Sequence, residues 1–113
     1  MNKKNILRKN MEFKKVYKTG KNYWNRNLIA FIRKNGTENT RIGVSITKKI
    51  GNAVIRNKLK RRIKSINQDY INYIKSGYDI VIIPKKNAVG LTFKDLESAV
   101  KHIYQISGLL EKR

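Results

Sequence analysis

Between Gly51 and Gly77 the apolar residues Ile55, Leu59, Ile63, Ile66, Tyr70 and Ile74 recur at intervals of three and four, the period of one stripe on an α-helix. At about 100° per residue the stripe fills under about a third of the circumference. A helix with so narrow an apolar face must lie on a larger apolar surface made by the rest of the chain. That surface is a sheet. "NLIAFIRK" and "RIGVSIT" both alternate, and the turn residues of "NGTENT" between them predict an antiparallel pair. In the second, Ile42, Val44 and Ile46 point one way and Gly43, Ser45 and Thr47 the other, so one face of the sheet is core and the other is lined by small residues. "DIVIIP" is a continuous apolar strand that closes on Pro84, where a missing N–H suits a strand end.

The flanking segments complete the fold. In "NMEFKKVYKTG", Phe13, Val16 and Tyr17 stand at helical spacing, with Asn10 as N-cap and Gly20 just past the end. "KNYWN" adds a short edge strand. A last helix runs from the N-cap Thr92 through Phe93, Leu96, Val100 and Ile103 to about Ser107. The predicted class is α+β with the order α-β-β-β-α-β-α, a single domain over residues 1–113. A chain of this length buries roughly two thirds of the surface it exposes when unfolded.

The other face of the long helix is basic. Arg56, Lys60 and Lys64 form one i, i+4 row, Lys58 and Arg62 a second, and Arg61 lies between them, with no acidic residue between Glu38 and Asp69. Like charges at this spacing cost about 0.2 to 0.5 kcal/mol per pair, so the cluster costs on the order of 1 kcal/mol with nothing bound. Over the chain 27 Lys and Arg face 7 Asp and Glu, a net charge of +20 that is best tolerated when a polyanion neutralises it. Nucleic acid is the indicated partner. A DNA reading in the major groove is weakened because six bases leave little neutral helix surface for base edges, whereas a small basic ribosomal protein or a general RNA chaperone fits the same composition. The helix start matters as well, since "KKIGNAVIRN" puts free N–H groups where phosphate oxygens bind. Asn52 is either its N-cap or an RNA contact. Asn57, on the polar face between Arg56 and Lys58, is a modest liability in mid-helix and reads as a contact.

Several classes are disfavoured. Without cysteine there is no disulfide and no thiolate metal site, which is compatible with a reducing cytosol. The basic N-terminus lacks an apolar h-region, and "LIAFI" and "IVII" are too short to span a bilayer, so a soluble cytoplasmic protein with no membrane partner is expected. The one histidine, His102, lies off the apolar stripe of its helix, and Asp95 and Glu97 sit at a helix start where acids complement the dipole. Metal-dependent hydrolysis needs convergent carboxylates. No catalytic or metal-binding residue of the chain's own is therefore expected.

"SITKKIGNAVIRNKLKRRIK", preceded by "NMEFKKVYKTG" and followed by "DIVIIPKKNAVGLT", resembles the protein subunit of bacterial ribonuclease P in order and spacing across nearly the whole chain. The GNAV-x-RN-x-x-KR core is its most specific part. Lys58 replaces the second arginine of the family's usual Arg-Asn-Arg, Lys64 stands where arginine is common, and Asn87 replaces a proline. Lysine keeps the charge but loses the bidentate fork. The resemblance implies a two-layer α/β sandwich like the second domain of ribosomal protein S5, in which "RIGVSIT" and "DIVII" lie parallel and the basic helix makes a left-handed βαβ crossover. It also implies two RNA contacts. Asn52, Arg56, Asn57, Lys58, Lys60, Arg61, Arg62 and Lys64 would face the catalytic ribonuclease P RNA. Phe13, Tyr17 and Phe31, beside Lys48 and Lys49, would line a cleft for the single-stranded 5′ leader of precursor tRNA. Single strands are held in this way, by aromatic stacking and a basic track, with core packing the less favoured alternative for Phe13 and Tyr17. Endonucleolytic removal of the leader would then be the work of the RNA and its Mg2+, with the protein a monomeric subunit.

Overall fold

A computed structural model describes residues 2–111. Its elements are α1 (Asn10–Thr19), β1 (Lys21–Trp24), β2 (Leu28–Lys34), β3 (Arg41–Val44), α2 (Ala53–Tyr70), β4 (Tyr78–Pro84) and α3 (Phe93–Ile106). Their order is the expected one. Short 3-10 turns at Lys3–Asn5, Lys48–Ile50 and Lys86–Ala88 were not legible from periodicity.

The four strands form one sheet in the order β1-β2-β4-β3, with β3 and β4 parallel and the other pairs antiparallel. "NLIAFIRK" and "RIGVSIT" are thus not paired with each other as the turn between them suggested. β4 lies between them. Its run Ile80, Val81 and Ile82 is fully buried, and a strand apolar on both faces gains more as a central strand than a hairpin partner would at the same position. The crossover that joins parallel β3 to β4 is α2.

Two cores follow from the alternation of side chains. Leu28, Ile32, Ile42, Val44, Ile80 and Ile82 meet Leu59, Ile63 and Ile66 of α2 and Leu96, Val100 and Ile103 of α3 on one face. Leu7, Val16 and Val81 form a smaller core on the other, under α1, with Phe13, Phe31 and Ile83 packed around it. Within the main core Tyr104 donates its O–H to Asn67 Oδ1, and Asn67 Nδ2 donates to the Ile63 carbonyl at 2.9 Å, so a buried tyrosine and asparagine satisfy each other between α2 and α3. Burial pushes the Tyr104 hydroxyl well above its ordinary pKa.

Two boundaries differ from expectation. Asn10 opens α1 and Lys9 is its N-cap, because Glu12 Oε1 accepts the N–H groups of Lys9 and Arg8 at 3.0 and 3.2 Å and so fixes the turn one residue earlier. α2 ends at Tyr70, short of Gly77, because the next residues leave the helical ladder to join the C-terminal segment: Lys75 N–H donates to the Leu109 carbonyl and Glu111 N–H to that of Tyr73. Ile74 stays buried, bridged to Leu110. At the stripe ends Ile55 and Phe93 are exposed.

Candidate nucleic-acid interface

The first surface is the outer face of α2. Asn52 caps the helix, its Oδ1 accepting the Ile55 N–H at 3.0 Å, which settles its side-chain oxygen in the structural role. Behind it Asn57, Lys58, Lys60, Arg61 and Lys64 are exposed, while Arg56 and Arg62 are half-buried. Arg62 is tied back: Nη1 donates to the Leu91 carbonyl at 3.1 Å, so this cation is held against the loop before α3 while the others project. Lys48 and Lys49 are exposed on the 3-10 turn that links β3 to α2. They extend the basic surface around the start of the helix.

The second surface lies across the sheet, where α1 packs. Gly43 is its seat. A Cβ built there would fall 2.4 Å from the Phe13 ring and 3.0 Å from Leu7, so the small side of "RIGVSIT" is filled by Phe13 itself. Tyr17, one turn on, is 38% exposed, and its ring meets that of Phe31 edge to face with centroids 5.2 Å apart. The structure therefore brings Phe13, Tyr17 and Phe31 together, the first as the packed base and the other two as the rim. Sequence reasoning missed their neighbours. In the strand register Trp24 pairs with Ile29 and Ile29 with Ile83, on the same side of the sheet as Phe31, and Trp24 is 62% exposed. The signal was present in "KNYWN", since Tyr23 packs on the main core and alternation then turns Trp24 outward.

An ionic network fixes α1 on this face. Asp79, 1% exposed, receives Arg41 Nε at 2.9 Å and Nη2 at 2.8 Å, and Asn35 Nδ2 at 2.9 Å. Arg41 Nη1 donates to Glu12, so one guanidinium joins the sheet to the first turn of α1. The N–H of Lys9 first, then that of Arg8 and the Arg41 charge, hold the Glu12 carboxyl below its ordinary pKa, and the hydrogen bonds Arg41 donates to Asp79 raise that of Arg41. Arg41, Glu12 and Asp79 are distant in sequence and had no motif to mark them.

The remaining titratable candidates do not converge. His102 is exposed, with Nδ1 3.2 Å from Asn25 Nδ2, and the backbone N–H of Asp95 donates to Thr92 Oγ1 at the start of α3. Among the described residues no three His, Cys, Asp or Glu side chains stand close enough to hold a metal ion, and no helix is long and apolar enough to cross a membrane.

The family model described as Ribonuclease P matches residues 1–107. The chain is 48% identical over 103 residues to the ribonuclease P protein component of Finegoldia magna, covering 91% of this chain and 90% of that protein. It is 43% identical over 108 residues to that of Clostridium botulinum strain Langeland, covering 95% and 97%. Among solved structures, the Staphylococcus aureus RNase P protein superposes with a TM-score of 0.87 at 30% identity, covering 95% of this chain and 98% of that one. The Thermotoga maritima RNase P protein does so with a TM-score of 0.80 at 32% identity, covering 86% and 92%.

Proposed function

The chain belongs to the ribonuclease P protein family, and from that premise we propose how its two surfaces divide the work of a ribonucleoprotein that removes the 5′ leader from precursor tRNA. The outer face of α2 binds the catalytic RNA, and the cleft of Phe13, Tyr17 and Phe31 receives the leader. The observation that carries this division is that α1 and α2 pack on opposite faces of one sheet, so a single rigid layer separates a basic helix from an aromatic groove. A polyanion on α2 relieves the like-charge rows of Arg56, Lys60 and Lys64 and of Lys58 and Arg62. In the groove, bases of an extended strand stack on the exposed edges of Tyr17, Phe31 and Trp24, and Lys48 and Lys49, on the turn that follows the edge strand β3, meet its phosphates where it leaves the groove toward the start of α2.

The chain's own residues bind and orient. Phosphodiester hydrolysis would reside in the RNA, whose Mg2+ would supply the activated water. The protein acts in the cytoplasm as a monomeric single domain, its net charge of +20 opposing self-association until RNA neutralises it. The test is precursor tRNA cleavage by a ribonuclease P RNA at low Mg2+ with and without this protein. Stimulated release of the 5′ leader supports the assignment. Cleavage by the protein without RNA, or no effect on the RNA's rate, refutes it.

A further inference from the structure

Beside the basic face of α2 lies an apolar notch of about 280 Å³, between the first two turns of the helix and the 86–91 loop. Leu59 and Ala88 form its buried floor, and Ile55 and Val89, each 37% exposed, its two lips. Lys58 and Arg62 line its charged side. Arg62 is not a free cation there, because its bond to the Leu91 carbonyl holds the guanidinium in place. Opposite, a Cβ built on Gly90 would meet nothing within 4 Å, so this side of the notch is open.

Exposed aliphatic side chains around a cavity mark a contact surface when they are contiguous. The charge around this one selects the occupant. Nine Lys and Arg and no acid occupy residues 39–68, so whatever covers the notch must be anionic outside and apolar where it enters. An RNA strand with one base turned out of its stack has that character, and unstacked bases are held on apolar surfaces and guanidinium planes. The volume lies just below the usual range for a drug-sized ligand, about 300 to 1,000 Å³, and leaves room for a single flat base. We infer that the notch between Ile55, Leu59 and Val89 takes a single unstacked nucleobase of the catalytic RNA, with Arg62 as its stacking wall and Lys58 on the adjoining phosphate. This rests on the assignment of α2 to the catalytic RNA and adds a base-reading contact to what would otherwise be a phosphate surface.

The two kinds of contact differ in salt dependence. A phosphate contact contributes to the slope of log K against log salt, and an apolar base contact does not. The variants are Val89→Ser and the double Ile55→Ser, Val89→Ser, both at lips exposed enough for the fold to survive, with thermal unfolding as the check. Binding to ribonuclease P RNA is measured from low to high salt, and Lys60→Gln serves as the phosphate control. The double variant should bind about tenfold more weakly at every salt concentration, as expected when two aliphatic contacts to a buried base are lost, with an unchanged slope; Lys60→Gln should flatten the slope. In parallel, a reagent that modifies unpaired base edges should find one nucleotide protected in the wild-type complex and reactive in the double variant. Equal affinity of folded double variant and wild type, a loss accompanied by a flatter slope, or no single nucleotide changing reactivity would each overturn the inference. If the wild-type protein bound this RNA no better than an unrelated RNA, the inference would fall together with the assignment of α2; tight wild-type binding with an unaffected variant would sink the notch alone.

Discussion

Replacing Arg41 with methionine keeps an unbranched apolar stem but leaves Asp79 buried with Asn35 as its remaining side-chain donor. Breaking a buried ion pair from one side costs about 3 to 5 kcal/mol, most of it the uncompensated charge left behind. Because the Arg41 side chain is 29% exposed and its charge partly screened, the lower end applies, about 3 kcal/mol. Small domains are stable by only about 5 to 15 kcal/mol, so this is a large share of the total. Denaturant unfolding of wild type, Arg41→Met, Asp79→Asn and the double variant would measure it as a cycle. The double variant, with neither charge buried, should recover much of the loss. An Arg41→Met midpoint equal to wild type, or a double variant no more stable than Arg41→Met, would refute the view that a buried charge at Asp79 depends on this guanidinium.

Three further outcomes are expected. Reversing Arg56, Lys60 and Arg61 to Glu should weaken binding to ribonuclease P RNA and flatten its salt dependence, each lost phosphate contact lowering the slope by somewhat under one; salt titrations of the triple variant would show it. Glu12 has a folded pKa below its ordinary value of 4.5, so the stability it contributes is present above about pH 4.5 and lost as pH falls through the lowered value. Acid unfolding curves of Glu12→Gln should accordingly be less steep below pH 4.5 than those of wild type. Gly43→Ala should destabilise the protein, since its Cβ would press 2.4 Å from the Phe13 ring, and thermal unfolding in the Gly43→Ala, Phe13→Leu double variant should show partial recovery.

How much of this was legible depended on how local the signal was. The stripe Leu59, Ile63 and Ile66 is buried as its period demands, and the basic rows beside it face outward. Where α2 stops was not legible, because the competing bonds come from Leu109 and Glu111, far along the chain. The pairing of β2 with β3 was suggested by the turn residues between them, but strand order is set by burial, and the unbroken apolar run of "DIVII" was the better guide to which strand is central. The aromatic groove was half legible. Phe13, Tyr17 and Phe31 do meet, yet Phe13 is mostly committed to packing on Gly43, and the more exposed Trp24 was overlooked. Arg41 and Asp79 are 38 residues apart and carry no local pattern, so only the fold brings their charges together.

The central claim is that α1 and its groove hold the leader while α2 holds the catalytic RNA. Tyr17 tests it most directly, since its ring is exposed and removing it leaves the Gly43 seat and the Arg41 network in place. The measurement is the affinity of holoenzyme carrying Tyr17→Ala for precursor tRNA with a leader of several nucleotides and for mature tRNA, which has none. A lost stack costs about 1 to 3 kcal/mol, so precursor binding should weaken by at least about fivefold while mature tRNA binding and the protein's affinity for the catalytic RNA stay as they were. Equal losses for both substrates, or no loss for either, from a folded variant would contradict the account.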